Sequence, residues 1–506
     1  MSIDLSLDRL QRLVTHLPPY TRPTLHVAGT NGKGSVASLL STILLSSSLS
    51  VGRYNSPHLV SIYDCITLNN KPVDPAIYDA TRAKVVEADT THGTRLSSFE
   101  LLTLTALSIF EEARVDVAVV EVGLGGRLDA TNIIPDESIA VSLLTAVDLD
   151  HQAFLGSTVS EIAREKAGIA RPGRPFVLGP QKHTEVVEVA REVVEKVGEK
   201  VVQPVRVDKR EWDEELDGPS GTPFSLTKVP FTEPSPQPVT IHALCFDEPV
   251  RALLPLYGEH QLDNLRTAVA GISALLTRHC PLSANLDLAS RITPRTLAEG
   301  IKNTRWPGRL SFHILPAPVS KSASSSRPLI VLADGAHNPG SSATLSSYIT
   351  HLFSVLAPSE VKANATTSTT INLTYILGLS HSPPKTPLQT LLPLLPPSPS
   401  PLHPNVRINV NVACVRFTPP EGMPWIKTVP PEETSQVVRG LVPDVKVWIP
   451  DERDASGAAK GNLQRALEWA ASLRVGGEGE SELVVVAGSL YLVADLYRLL
   501  EEDRAT

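Results

Sequence analysis

The stretch that decides the fold is His26-Val27-Ala28-Gly29-Thr30-Asn31-Gly32-Lys33-Gly34-Ser35. It overlaps the apolar run 25–28, which we predict as a strand, and it precedes the helix-forming residues 36–40. Glycines let the backbone bend so that several N–H groups face one point, and a helix N-terminus adds positive potential. With the mobile cation of Lys33, the turn is typical of a cradle for nucleotide phosphates.

The spacing of this turn departs from the strict phosphate-binding loop. Val27 stands where the first glycine is expected, and Gly34 separates Lys33 from the hydroxyl of Ser35. An ordinary strand-to-helix turn is therefore the alternative to a phosphate cradle.

Length and composition restrict the class of protein. The chain has 506 residues, which is too long for one core and predicts roughly two to four domains. An apolar content of 42% and a charged content of 20% are those of a soluble globular protein. The net charge of -8 argues against nucleic acid as a partner, because neutralising a phosphate backbone needs concentrated positive charge.

The cysteines and the N-terminal residues bear on the compartment. Cys65, Cys245, Cys280 and Cys414 are scattered and form no C-x-x-C pair, which predicts neither a zinc knuckle nor a disulfide framework. The first ten residues lack the basic-then-apolar layout of a signal peptide, and apolar runs such as 39–45 are too short to span a bilayer. We expect a cytoplasmic monomer with no membrane partner, and a mitochondrial pool stays open.

Strands and helices alternate in two series, which predicts α/β domains with parallel sheets. In the first series we predict strands at 25–28, 115–123, 139–147 and 175–179, and helices at 4–17, 99–111, 158–170 and 184–197. Thr158 and Glu161 form a capping box at the start of one helix. In the second series we predict strands at 329–333, 374–379, 407–415, 445–449 and 483–487. We interpret 201–238 as a surface excursion, 316–327 as a linker and 381–405 as a proline-rich exposed insertion.

Several polar residues stand where a site would need them. Glu121 ends an apolar strand, and ligands collect at the carboxyl ends of strands in open α/β sheets, although a strand also ends in Glu by chance. Ser56 precedes Pro57 at an element end, in a site or in a simple capped turn. Arg305 and Arg309 flank a rigid turn that suits phosphate contact or is merely exposed.

Nine blocks, in order, resemble the folate branch of the Mur ligases, that is, the folylpolyglutamate synthases and dihydrofolate synthases. The resemblance covers residues 5 to about 500 and rests on 29–35, 56–59, 121–132, 150–151, 165–169, 260–264, 306–309, 334–339 and 488–491. It implies a P-loop-like, three-layer ATP-binding domain of the Mur ligase central type over 1–315, and a smaller Rossmann-like domain over 328–506.

The resemblance also implies roles for individual residues. Mg²⁺ would be held by Ser56, Glu121 and His151. Lys166 would be carbamylated, although the local sequence alone predicts a solvated lysine on a helix. ATP would be bound by Gly29, Thr30, Asn31, Gly32, Lys33, Gly34, Ser35, Asn264, Arg309 and Asp334. Dihydropteroate would lie against Leu7, Asp8, Arg9, Ser98, Phe99, Leu128, Asp129 and Ala130. L-Glutamate would be gripped by His337 and Ser489, and the catalytic residues would be Lys33, Lys166 and His337.

The resemblance favours the first glutamate addition, to dihydropteroate. Asn31 is unlike the eukaryotic folylpolyglutamate synthases, and residues 61–72 lack their Arg-Glu-Arg-Ile and look like the fungal dihydrofolate synthases. There are three alternatives. The first is extension of the glutamate chain of tetrahydrofolate, alone or in a bifunctional enzyme. The others are a Mur-type ligase acting on other substrates and a non-catalytic ATP-binding regulator. Since the implied ATP and glutamate groups come from different domains, we expect closure on binding.

Overall fold

The computed structural model describes residues 6–220, 224–226, 230–277, 285–316, 328–361, 369–395, 406–421, 423, 426–451, 459–473 and 480–505. The chain forms two compact units. The first comprises Met1–Asp213 and Pro236–Trp306, and the second comprises Glu214–Ser235 and Pro307–Thr506.

Strands and helices follow one another along both units. The strands are β1 Thr24–Ala28, β2 Val51–Tyr54, β3 Ile66–Leu68, β4 Lys71–Pro72, β5 Val117–Glu121, β6 Ile139–Leu144, β7 Phe176–Leu178, β8 Val201–Val202, β9 Arg206–Lys209, β10 Gln237–His242, β11 Val250–Leu254, β12 Ser311–Leu315, β13 Leu329–Ala333, β14 Thr369–Leu377, β15 Val406–Cys414, β16 Lys446–Trp448 and β17 Glu480–Ala487. The helices are α1 Asp8–Val14, α2 Lys33–Ser46, α3 Pro75–His92, α4 Ser98–Glu112, α5 Gln152–Leu155, α6 Val159–Ala167, α7 Thr184–Lys196, α8 Glu214–Asp217, α9 His260–Thr277, α10 Leu288–Arg291, α11 Pro294–Lys302, α12 Pro339–Val361, α13 Pro387–Leu391, α14 Pro431–Leu441, α15 Ala459–Ser472 and α16 Leu490–Ala505.

The first unit is built on an eight-stranded sheet of order β4-β3-β2-β5-β1-β6-β7-β8. The strands from β2 to β8 in that order run parallel, and β3 and β4 are antiparallel additions at one edge. Every residue of β1 is buried, because helices cover both faces of a central parallel strand. The predicted parallel α/β sheet is confirmed.

Alternate residues of β1 face the two layers of helices. Leu25 and Val27 belong to a cluster with α2, α9 and α11, whereas Ala28 packs in a separate cluster with α6 and α7. A small antiparallel sheet of order β11-β10-β9 joins the first of these clusters. The result is a three-layer unit in which the carboxyl ends of β1, β5 and β6 lie side by side.

The second unit contains a six-stranded sheet of order β12-β13-β17-β14-β15-β16. Its strands from β13 to β16 are parallel, and β12 pairs antiparallel with β13 at the edge. The predicted alternation of strand and helix is confirmed, and the antiparallel edge strand was not predicted.

The domain boundaries differ from those expected. The first unit ends at Trp306 rather than at residue 315, because β12 pairs with the sheet of the second unit. The predicted surface excursion 201–238 contains β8 and β9, and its middle, Glu214–Ser235, packs with the second unit. Most of the predicted linker 316–327 lies outside the described residues.

The proline-rich insertion 381–405 is also more ordered than expected. Residues 381–395 include α13, which begins at a capping box of Thr386 and Gln389. Leu391, at its end, and the following Leu394 and Leu395 are buried. The rest of the insertion lies outside the described residues. None of the helices that the structure describes combines the length and the apolarity needed to span a bilayer.

Candidate functional site

The predicted phosphate turn leads from β1 directly into α2. Gly32, at φ +90°, is the residue before the helix, so the first-turn amides of residues 33–35 have no acceptor within the helix. The amides of Thr30 and Asn31 instead donate to the carbonyl of Ala146, at 2.9 and 3.1 Å. Two amides of the turn are thus bonded to the segment after β6, and the first-turn amides of residues 33–35 remain as donors for a phosphate.

Two neighbouring side chains require glycines at positions 29 and 32 of the turn. A Cβ on Gly29 would overlap Thr145 Oγ1, and one on Gly32 would overlap Asn264 Oδ1. Both glycines also have positive φ, which side chains rarely adopt. Asn264, a predicted ATP ligand more than two hundred residues away in sequence, therefore lies against the turn as expected.

Lys33 lies over the turn and faces an acid. Its Nζ donates to the Gly29 carbonyl at 3.2 Å and lies 3.8 Å from Glu121 Oε1. The other carboxylate oxygen of Glu121 accepts from Asn55 Nδ2 at 2.6 Å. The end of β5 thus places the buried carboxylate of Glu121 beside the phosphate turn.

Lys166 is buried rather than solvated, with 3% of its surface exposed. It lies near the end of α6, whose predicted capping box of Thr158 and Glu161 is confirmed. Its Nζ donates at 2.9 Å to the Gly29 carbonyl, the same oxygen that Lys33 contacts. Burial, and then repulsion by Lys33, lower the pKa of Lys166 to about 7. A lysine with a substantial neutral fraction at physiological pH therefore lies at the phosphate turn.

The other predicted magnesium ligands lie near strand ends. Ser56 follows Asn55, the residue that bonds Glu121. His151 is exposed, has φ +50° and precedes the short helix α5. Among the described residues, no group of three His, Cys, Asp or Glu side chains is placed to hold a metal ion. The three-residue magnesium set, which contains only two such side chains, stays a prediction.

The glycine-rich segment after β5 lets α6 approach closely. A Cβ on Gly126 would meet the carbonyls of Glu165 and Lys166 at 2.9 and 2.8 Å. Just beyond it, Asp129 is buried and accepts from the amides of Leu124 and Thr131 at 2.8 and 3.0 Å. Burial raises the pKa of Asp129, against these hydrogen bonds.

The residues predicted to bind dihydropteroate converge in part. Leu7 and Phe99 pack on one apolar cluster that contains Ala130. Arg9 Nη2 lies 3.2 Å from Glu100 Oε2, which ties α1 to the start of α4. Asp8 and Ser98 are exposed, and Leu128 is partly buried.

In the second unit, Arg309 and Asp334, both predicted to contact ATP, lie close to each other. Asp334 is buried at the end of β13, and its Oδ2 accepts from the Leu310 amide at 2.9 Å. Burial raises the pKa of Asp334, and the Arg309 charge opposes that rise. A side chain on Gly335 would overlap the Arg309 guanidinium. Arg305, considered with Arg309 from the sequence, is exposed and bonds the carbonyls of its own turn.

A cavity of about 200 Å³ in the second unit is lined by His337. His337 Nδ1 lies 2.9 Å from the Gly335 carbonyl, and its own carbonyl accepts from Lys385 Nζ at 2.8 Å. Ser489, next to the cavity residue Gly488, lies 3.1 Å from Ser380, which also lines the cavity. His337 and Ser489, the two residues predicted to bind glutamate, thus lie close to one pocket.

Sequence reasoning missed two residues at these sites. Lys385 lies in the proline-rich segment that was given no role, yet it lines the cavity. Gln181 Nε2 donates to the Thr145 carbonyl at 3.0 Å, and its Oε1 accepts from the Val147 amide at 2.9 Å. It thereby fixes the segment whose Ala146 carbonyl holds the phosphate turn. No local pattern marks either residue, since each acts through contacts distant in sequence.

Solved structures resemble this fold. The chain of "E.coli FolC in complex with DHPP and ADP" aligns with a TM-score of 0.68 and 23% identity, over 100% of this chain and 95% of that one. The bifunctional folylpolyglutamate synthase/dihydrofolate synthase from Yersinia pestis, complexed with AMPPNP and Mn ion, aligns with a TM-score of 0.66 and 22% identity, over 99% and 95%. The chain therefore has the fold of these two proteins.

Sequence comparison identifies the family of the chain. Residues 318–499 match the family model described as "Dihydrofolate synthetase, C-terminal domain". The dihydrofolate synthetase of Saccharomyces cerevisiae is 32% identical over 504 residues, which covers 99% of this chain and 98% of the relative. The chain belongs to the dihydrofolate synthetase family and is an ATP-dependent ligase.

Proposed function

We propose that the enzyme joins L-glutamate to 7,8-dihydropteroate and forms 7,8-dihydrofolate, ADP and phosphate. The observation that carries the proposal is the convergence of Lys33, Glu121 and Lys166 on the turn between β1 and α2. The full-length similarity to the yeast dihydrofolate synthetase supports this choice of acid.

The chemistry starts with an unreactive acid. The carboxylate of dihydropteroate becomes an acceptor when one of its oxygens takes the γ-phosphoryl group of ATP and forms an acyl phosphate. The glutamate amine then attacks the acyl carbon, loses a proton, and expels phosphate. Phosphoryl transfer is catalysed mainly by positioning and by charge stabilisation, which Lys33, the first-turn amides of α2 and Arg309 supply. Asn264 and Asp334 contact the nucleotide in this proposal.

The donor set at the end of β5 suits a hard divalent cation. Glu121 offers carboxylate oxygens, and Ser56 lies one residue beyond its partner Asn55. We assign Mg²⁺ to Ser56, Glu121 and His151, with further oxygen ligands, since a histidine is unusual for this metal. Bound there, Mg²⁺ neutralises phosphate charge.

Lys166 is proposed to carry a carbamate. Carbamylation requires a neutral amine to attack carbon dioxide, and burial beside Lys33 favours the neutral form. The product is a carboxylate that ends close to the Gly29 carbonyl and to Lys33. Its negative charge would pair with Lys33 and remove the repulsion between the two amines.

The two acids take separate positions in the proposal. Dihydropteroate lies against the apolar cluster of Leu7, Phe99 and Ala130, with Asp8, Arg9, Ser98, Leu128 and Asp129 around it. Glutamate occupies the cavity beside His337 and Ser489. Lys385 adds a cation there, which suits an amino acid with two carboxylates.

The proposal is tested by phosphate release with ATP and a panel of acids and amino acids. Release that requires both dihydropteroate and glutamate supports it. Release with tetrahydrofolate and glutamate would instead assign chain extension, and release with another amino acid would assign a different Mur-type ligase. Binding of ATP without release under any condition would favour a non-catalytic regulator.

We further propose a cytoplasmic monomer. Cys65, Cys245 and Cys414 are free thiols, and Cys65 and Cys414 are buried, as suits a reducing compartment. Sedimentation of the purified chain tests the oligomeric state.

A further inference from the structure

Trp306, the last residue of the first unit, packs on the first turn of α2. A Cβ on Gly34 would overlap the indole ring, whose Nε1 lies 3.1 Å from that position. One residue earlier, the Arg305 carbonyl accepts from Ser38 Oγ at 2.9 Å. Two consecutive residues are therefore attached to the helix that begins at the phosphate turn.

Arg53 supports the indole from β2. Its guanidinium carbon lies 5.2 Å from the centroid of the Trp306 ring, and its Nη1 donates to Ser41 of α2 at 3.3 Å. Only 8% of Arg53 is exposed, and its buried Nε has no hydrogen-bond partner. Within the described part of the chain, no carboxylate forms an ion pair with it.

A buried cation without an ion pair costs free energy that an apolar residue at the same place would not. The face of the indole and the more distant charge of Glu121 offset part of this cost. Burial lowers the pKa of Arg53 to about 10, so the group stays charged at neutral pH. We therefore expect Arg53 to have a role that an aliphatic side chain at the same position would not have.

We propose that Arg53 and Trp306 are positioning residues that hold the first turn of α2 in its anion-binding shape, with the indole as one wall of the phosphate site. This inference rests on the proposed function, because it assumes that a nucleotide phosphate binds at residues 32–35. The Gly34 amide is one of the first-turn donors, and the indole limits the space into which that turn can relax. Phosphate binding consequently changes the surroundings of the Trp306 ring.

The test uses Mg-ADP as the probe and follows both calorimetric binding and tryptophan emission of the full chain. Wild type shows an emission change on binding, and Trp306→Phe, which keeps an aromatic face, binds within about threefold of wild type but loses most of that change. Arg53→Met weakens ADP binding about tenfold, which corresponds to ~1.4 kcal/mol. Arg53→Lys, which restores a cation, recovers most of the affinity.

Arg251→Met serves as the matched control, because Arg251 is an exposed arginine on β11 of the same unit. It should bind ADP like wild type. An undiminished emission change in Trp306→Phe, or wild-type affinity in a folded Arg53→Met, overturns the inference and leaves the proposed function intact. If Arg53→Met does not fold, the inference is tested by the other two variants. It then requires that Trp306→Phe loses most of the emission change and that Arg53→Lys keeps most of the affinity for ADP. Failure of the wild type to bind ADP would instead remove the proposed function.

Discussion

At the scale of single residues, Lys166 is the group whose chemistry depends most on its surroundings. Two lysine amines donate to one carbonyl, that of Gly29, and the Lys33 amine also lies 3.8 Å from Glu121 Oε1. Burial and the charge of Lys33 lower the pKa of Lys166 to about 7, against the opposing effect of Asp150 and Asp129. The neutral fraction of Lys166 is the chemical condition for capture of carbon dioxide.

The first prediction concerns that capture. In buffer freed of carbon dioxide, ligase activity should fall and should return when bicarbonate is added. With ¹³C-labelled bicarbonate, a carbamate carbon signal should appear in wild type and be absent from Lys166→Ala. That variant should lose about 100-fold in kcat or more, by analogy with groups that orient a metal site. Lys182→Ala, at an exposed lysine, is the control. A fully active Lys166→Ala would contradict the assignment.

The second prediction is the pH dependence of stability. The pKa of Lys166 is lower in the folded chain than its ordinary value of 10.5, so between about pH 7 and 10.5 the unfolded chain binds a proton that the folded chain does not. Stability therefore rises with pH across that window, and the cost of burying the charge is fully present below it. Without carbon dioxide, Lys166→Met should be more stable than wild type by up to about 5 kcal/mol below pH 7.

That advantage should shrink as the pH rises from 7 towards 10.5, because the unfolded wild type then holds the extra proton less and less strongly. Denaturant unfolding at several pH values measures the difference. A constant difference between the two proteins across the window would show that Lys166 does not titrate as described.

At the scale of elements, the turn between β1 and α2 is held by the segment that follows β6. Its carbonyl at Ala146 accepts from two turn amides, and Thr145 Oγ1 donates to the Asn31 carbonyl at 2.7 Å. Gln181, after β7, fixes that segment from the other side. Three neighbouring strand ends thus cooperate in shaping one turn.

The third prediction follows from this arrangement. Gln181→Ala removes the hydrogen bonds to Thr145 and Val147, each worth about 1 kcal/mol, and should raise KM for ATP about tenfold with a smaller effect on kcat. Gln203→Ala, at an exposed glutamine of the same unit, should match wild type. Steady-state kinetics measures KM and kcat of both variants. An unchanged KM for ATP in the Gln181 variant would show that the turn keeps its shape without these hydrogen bonds.

Elements with a strong local pattern could be predicted from the sequence, and others could not. Apolar β-branched runs predicted β5 and β6, and the capping box predicted the start of α6. The strands β9 and β10 were missed, because they form a small sheet whose exposed residues give a mixed polar pattern. α13 was missed because prolines dominate its surroundings, although proline is well tolerated in a first helical turn.

Some residues of the candidate site could likewise be predicted from the sequence, and others could not. Glu121 and Lys33 could be found from a strand end and a glycine-rich turn, because both patterns are local. The burial of Lys166 could not, since it depends on Gly126 admitting α6 to the turn after β5. Arg53, Gln181 and Lys385 carry no local pattern, and only the tertiary structure brings them to a site.

At the scale of the whole molecule, the residues proposed to bind Mg²⁺ and the two substrates are distributed over two units. Residues assigned to Mg²⁺ and dihydropteroate belong to the first unit, and those assigned to glutamate belong to the second. Joining the two substrates requires their reacting atoms to meet, and closure on substrate binding is a general means to achieve that.

The fourth prediction is therefore compaction on binding. Small-angle scattering should show a smaller radius of gyration with a non-hydrolysable ATP analogue, dihydropteroate and glutamate together than with no ligand. The analogue alone should give a smaller change. An unchanged radius with all three present would contradict closure.

The central claim is that ATP converts the carboxylate of dihydropteroate into an acyl phosphate that glutamate then attacks. The most direct measurement follows ¹⁸O from a doubly labelled dihydropteroate carboxylate during turnover with ATP and glutamate. The account predicts that one of the two labelled oxygens appears in the released phosphate and that the other stays in the amide carbonyl of dihydrofolate. Phosphate without label, or label carried into AMP, would contradict it.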